Sequence, residues 1–192
     1  MNLPNKLTVV RIILVPFFVA SMLIDFPLHS LVALILFAAA SVTDMLDGKI
    51  ARKRDLITDF GKFADPLADK ILVLSALLCF VQLGLCDCVA VIILLFREFT
   101  VTSIRLIAAA KGKVVAANIW GKVKTVVQMV SLICILVMQI VLELVSFFAP
   151  VPDVLQTVFF GIGEGMIWVS TFFAVLSGVI YVAQNKHFIS DF

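Results

Sequence analysis

Six apolar stretches, near residues 7 to 25, 30 to 51, 62 to 84, 88 to 110, 118 to 146 and 164 to 185, are separated only by short polar interruptions. Each approaches the ~20 residues that a helix needs to cross a hydrocarbon core roughly 30 Å thick. Composition supports the same setting: 62% of residues are hydrophobic, 15% are charged, and the mean hydropathy is +1.17. A soluble domain is roughly 45–50% apolar. The expected fold is an all-α integral membrane protein of six transmembrane helices, one domain over residues 1–192 without linker, repeat or low-complexity tail. Lys6 and Arg11 precede an apolar run that reaches Ile24 without a small-x-small cleavage pattern, so the first span is read as uncleaved.

Charge placement supplies orientation, because cytoplasmic loops near span ends collect Lys and Arg. Lys6 and Arg11 begin the first span. Lys49, Arg52, Lys53, Arg54, Lys62 and Lys70 surround the second-to-third connection, Lys111, Lys113, Lys122 and Lys124 the fourth-to-fifth, and Lys186 follows the sixth. The opposite loops hold Asp25, His29, Asp87 and Asp153 and no Lys or Arg, while Arg97 and Arg105 lie within the fourth span. Both termini, and the acidic cluster described below, are therefore expected on the cytoplasmic side, in a polar cavity open to it. The compact, uncleaved design fits a bacterial cytoplasmic membrane. A net charge of +2 implies no nucleic-acid partner, although the inner face should attract lipid headgroups and phosphates.

Several features have ordinary readings. Cys79 and Cys134 sit in apolar runs as small core residues, and Cys86-x-Cys88 lacks the second ligand pair of a structural zinc site. Residues 2 to 6 read as an interfacial lead-in, and residues 147 to 160 as an outer re-entrant or interfacial segment. Gly161, Gly163 and Gly165 beside Glu164 would open the last span and serve close helix packing or a flexible helix start. Asp55 and Asp59 read as solvated loop residues.

Chemistry concentrates between residues 44 and 69. Residues three, four, seven and eight apart share a helix face, so one helix would present Asp44, Asp47 and Arg52 together and the next Gly61, Asp65 and Asp69. Four converging carboxylates at membrane depth would be prohibitive unpaired, and oxygen-preferring divalent cations are the usual remedy. With a second span starting near Ser30, a rise of 1.5 Å per residue puts Asp44 roughly 21 Å in, just below the cytoplasmic headgroups. A lipid phosphate or diphosphate would lie there.

The run Asp44-x-x-Asp47-Gly48-x-x-Ala51-Arg52, eight further residues, then Gly61-x-x-x-Asp65-x-x-x-Asp69 resembles the signature of the CDP-alcohol phosphatidyltransferase family, with eight fixed positions over 26 residues. That resemblance implies a six-span fold, usually a homodimer, in which a CDP-linked lipid or alcohol passes its phosphoryl moiety to a second alcohol and releases CMP. The flanks, Leu3-Pro4-Asn5-x-Leu7-Thr8-x-x-Arg11, Thr58 to Lys70, Arg97-Glu98 with Arg105, and Gly121-Lys122-x-Lys124-Thr125-x-x-Gln128, are similar to the branch that joins CDP-diacylglycerol to glycerol 3-phosphate. The similarity runs from residue 3 to about 128, and the last third shows hydrophobicity and little else.

By this resemblance Asp44, Asp47 and Asp65 would bind two divalent metals, Mg²⁺ or Mn²⁺, with a contribution from Asp69, which would also be the general base. A primary hydroxyl is a poor nucleophile until a nearby carboxylate accepts its proton. Gly48 would let the nucleotide approach the helix backbone, Arg52 could bridge diphosphate oxygens in a bidentate way, and Gly61 would serve close packing near the same ligand. No Ser, Cys or His constellation for covalent catalysis is present, which favours direct displacement.

The acceptor phosphate needs its own clamp. Arg105, Lys122 and Lys124 are assigned to it, against the plainer reading of positive-inside anchors. Arg97, near mid-bilayer, is read as a structural cation neutralised by Glu98 or another buried carboxylate. Asn5, Thr8 and Arg11 could line the nucleotide cavity or simply start a helix. Two rivals stand beside this reading: the same chemistry with serine or inositol 1-phosphate as acceptor, and a cation transporter whose polar path would have to continue to the outer face.

Overall fold

The computed structural model describes residues 3–54, 59–110 and 118–185, without the side chains of residues 3–5, 44–67, 69 and 110. Six helices follow one another: α1 (Leu3–Leu23), α2 (His29–Arg54), α3 (Asp59–Gln82), α4 (Cys88–Ala110), α5 (Ile119–Ser146) and α6 (Asp153–Asn185), with no strand among the described residues. By length and composition α1, α5 and α6 can cross a membrane. Among the residues whose side chains are described, α2 and α3 contribute the apolar stretches His29–Thr43 and Lys70–Gln82. In α4 the apolar run is broken by Arg97, Glu98 and Arg105.

Three expected boundaries move. Residues 3 to 6 are the first turn of α1 rather than a lead-in to it. Asp59 is the first residue of α3, so it is not a loop residue. Only residues 147–152 lie outside a helix in the expected interfacial segment. Pro150 and Pro152 stop α5 from continuing. Leu155 and Gln156 then donate to the Pro152 carbonyl at 2.9 and 3.2 Å and start α6, which runs on through Gly161, Gly163 and Gly165. At Gly163 a Cβ would come within 3.2 Å of Ile135, so this glycine serves close packing of α6 on α5; at Gly161 and Gly165 the space is open.

The core is built where small residues let helices approach. On α2, Ala33, Phe37 and Ala40 are fully buried, and Phe37 packs against Phe18 of α1 with ring centroids 5.8 Å apart. Leu72, Ala76 and Phe80 of α3 and Leu132, Ile135 and Leu136 of α5 complete it. Large apolar side chains such as Phe17, Phe96 and Phe172 are exposed on the outside, where lipid rather than water suits them.

Two carboxylates tie one end of the bundle together. Glu143, near the end of α5, accepts from the backbone N–H groups of His29 and Ser30 at 3.1 Å each. Glu164 of α6 accepts from Asp87 N–H at 2.8 Å and from Trp168 Nε1 at 2.7 Å. Both satisfy donors that a helix start leaves without an intrahelical partner. The loop after α3, which Glu164 holds through Asp87, is turned by Gly84 at φ +68° and carries Cys86, whose thiol pKa burial pushes up to about 12, with Glu164 and Asp87 adding to the rise. Cys88 is exposed, so the Cys-x-Cys pair does not converge on a common site.

A candidate active site at the opposite end

Helix periodicity carries the register of α2 and α3 into the signature. On α2, Ala33, Phe37 and Ala40 are buried, and steps of three or four residues lead onto positions 44, 47, 48 and 51. On α3, Ala68, Leu72 and Ala76 are buried, and the same steps backward lead onto positions 65 and 61, with Asp69 beside Ala68. Asp44, Asp47, Gly48 and Arg52 thus lie on α2, and Gly61, Asp65 and Asp69 on α3; their side chains lie outside the described residues. Among the described residues no group of three metal-ligating side chains occurs. The signature contributes four carboxylates from two helices, a donor chemistry that suits a hard divalent cation.

Beside the signature a cavity of about 430 Å³ opens between α3, α4 and α5. The three proposed acceptor-phosphate residues, Arg105, Lys122 and Lys124, all line it, together with Lys70, Arg97 and Glu98. Five cations and one carboxylate face a shared space. Glu98 is the hub: it accepts from Arg97 Nη1 at 3.1 Å and from Lys124 Nζ, whose side chain is only 3% exposed. Arg97, 11% exposed, also donates through Nη2 to Ser177 Oγ at 2.9 Å. A cation this deep is tolerable only when paired, and Glu98 supplies the partner. Arg105 and Lys122 sit at the exposed rim, and Arg105 donates from Nε to Tyr181 Oη at 3.3 Å.

The start of α5 shapes one wall. Asn118 caps it, accepting from Gly121 N–H at 2.8 Å. A Cβ at Gly121 would stand 3.0 Å from Asn118 Oδ1 and 3.5 Å from Arg97 Nη2, so glycine here lets cap and arginine close together. Thr8 and Arg11 are buried in α1. Sequence reasoning did not single out Lys70 or Gln128 as lining residues, nor Ser177 and Tyr181 as partners of the arginines. Tyr181 carried one signal, being the only tyrosine in the chain.

Comparison with known proteins agrees in length and in kind. A relative from Bacillus subtilis, a CDP-diacylglycerol–glycerol-3-phosphate 3-phosphatidyltransferase, is 43% identical over 196 residues, covering 96% of this chain and 95% of its own. A protein of the same name from Rickettsia bellii is 34% identical, covering 97% of each chain, and one from Haemophilus influenzae is 38% identical over 68% of this chain and 73% of its own. The family profile described as CDP-alcohol phosphatidyltransferase matches residues 1–176, a span that contains the whole acidic signature and every residue lining the cationic cavity, and the chain belongs to that family.

Proposed function

We propose that the protein transfers the phosphatidyl group of CDP-diacylglycerol to sn-glycerol 3-phosphate, giving phosphatidylglycerophosphate and CMP. The observation that carries the choice of acceptor is the gathering of Arg105, Lys122 and Lys124 in one cavity beside the signature helices. Serine would leave such a cationic lining without a task; a phosphate monoester uses it. We read all six helices as spans, the termini and the site as cytoplasmic, and the protein as a homodimer in a bacterial cytoplasmic membrane, from the charge placement and the family resemblance.

Mg²⁺ or Mn²⁺, held as a pair by Asp44, Asp47 and Asp65 with a contribution from Asp69, would supply polarisation of the attacked phosphorus and neutralisation of the departing charge. Gly48 admits the nucleotide against α2, Gly61 keeps α3 close to the same ligand, and Arg52 holds diphosphate oxygens. Arg105, Lys122 and Lys124 fix the acceptor phosphate, which orients the 1-hydroxyl toward the donor. Asp69 takes the hydroxyl proton as the oxygen bonds to the phosphorus bearing diacylglycerol, and the bond to CMP breaks in the same displacement.

The test is CMP release and lipid product mass in purified protein given CDP-diacylglycerol and Mg²⁺, with glycerol 3-phosphate, serine and inositol 1-phosphate compared as acceptors. Phosphatidylglycerophosphate formed only with glycerol 3-phosphate supports the reading. Turnover with another acceptor overturns the substrate, and cation flux in liposomes without CMP release would overturn the enzyme class.

A further inference from the structure

Ser177, Gly178 and Tyr181 lie within about one turn of α6, and all three meet arginines of α4. Ser177 Oγ accepts from Arg97 Nη2 at 2.9 Å while donating to the Ala174 carbonyl at 3.0 Å. At Gly178 a Cβ would come within 3.0 Å of Arg97 Cγ, so the missing side chain is what lets the arginine stem lie against α6. Tyr181 accepts from Arg105 Nε at 3.3 Å and places its ring 5.5 Å from Arg105 Cζ. The tyrosine is itself held firmly: it is 2% exposed and packs with Val101 and Ile104 of α4.

An arginine at the rim of a cavity samples many rotamers, and ordering it on ligand binding costs affinity. With Nε on the tyrosine hydroxyl and the guanidinium beside the ring, the four N–H donors of the two terminal nitrogens remain in a fork suited to a phosphate. We propose that Tyr181 is a positioning residue that presets Arg105 and thereby sets affinity for the phosphate-bearing acceptor, while Ser177 anchors the structural Arg97 beside it. This rests on the reading of the cavity as the acceptor site. Tyr181 and Ser177 lie beyond residues 1–176 matched by the family profile, in the part of the chain whose sequence shows only hydrophobicity.

The experiment measures CMP release by purified full-length protein, varying glycerol 3-phosphate at saturating CDP-diacylglycerol and the reverse, for wild type, Tyr181→Phe, Tyr181→Leu, Arg105→Ala and the Tyr181→Leu/Arg105→Ala pair. Losing one hydrogen bond in Tyr181→Phe should raise the KM for glycerol 3-phosphate about threefold to fivefold. Losing the ring as well in Tyr181→Leu should raise it about tenfold or more. The KM for CDP-diacylglycerol should stay within about twofold of wild type, and Tyr181→Leu should add little to Arg105→Ala, as expected of residues that act through one another. An unchanged acceptor KM in Tyr181→Leu, an equal rise for both substrates, or full additivity with Arg105→Ala would each overturn the proposal. Wild-type protein that ignores glycerol 3-phosphate but turns over another acceptor would instead defeat the reading on which it rests.

Discussion

The two ends of the bundle both bury charge, and they use it differently. At the end with the loops after α1, α3 and α5, Glu143 and Glu164 are answered by backbone N–H groups and an indole within the chain. At the other end Arg97 and Lys124 share a single carboxylate, Glu98, while Lys70, Arg105 and Lys122 line the same space. A charge matched inside the fold holds helices together. A surplus of one sign around a cavity is suited to an incoming ion of the other. The difference also weakens the transporter alternative, since the carboxylates of the first end are spent on helix starts.

The largest expected effect is at the proposed base. Asp69→Asn keeps size and shape but cannot take the hydroxyl proton, and CMP release should fall at least ~10²-fold to 10⁴-fold, the range for lost general-base catalysis. Retention of a tenth of wild-type rate would remove Asp69 from that role. Next, Arg105→Glu reverses charge at the cavity rim and should raise the KM for glycerol 3-phosphate by about 10²-fold, as for a charge-assisted bond replaced by repulsion. Initial rates over a wide acceptor range would show it.

At the opposite end, Glu143→Ala takes the side-chain acceptor from the N–H groups of His29 and Ser30, of which His29 keeps only the Phe26 carbonyl at 3.1 Å, and should cost about 1–3 kcal/mol of stability. Thermal unfolding in detergent measures the loss, and kinetics should be normal at temperatures where the variant is folded. The smallest effect is chemical. A thiol raised to about 12 is almost wholly protonated at neutral pH, so maleimide should label exposed Cys88 well before Cys86 in the folded protein, and Cys86 labelling should rise only as pH climbs toward that value. Equal labelling rates at pH 7 would mean that this end opens.

What the sequence revealed was local. Helix count followed from the lengths of apolar runs, and the acidic signature from spacings within two helices. The extended start of α6 was hidden because prolines and glycines both look like breakers. Only Pro150 and Pro152 interrupt the helix; the glycines beyond them retain their N–H groups and stay helical. Glu143 lies 114 residues from His29, and Tyr181 lies 76 from Arg105, so each partnership exists only in three dimensions. In a linear reading each is one polar residue in an apolar run.

The most direct test of this division of labour is a paired measurement of the KM for glycerol 3-phosphate and the unfolding temperature in Arg105→Glu and Glu143→Ala. The account predicts a crossed result: Arg105→Glu loses acceptor affinity with its unfolding temperature nearly unchanged, and Glu143→Ala loses thermal stability with its acceptor KM unchanged. Wild-type acceptor affinity in Arg105→Glu, or a raised acceptor KM in folded Glu143→Ala, would contradict it.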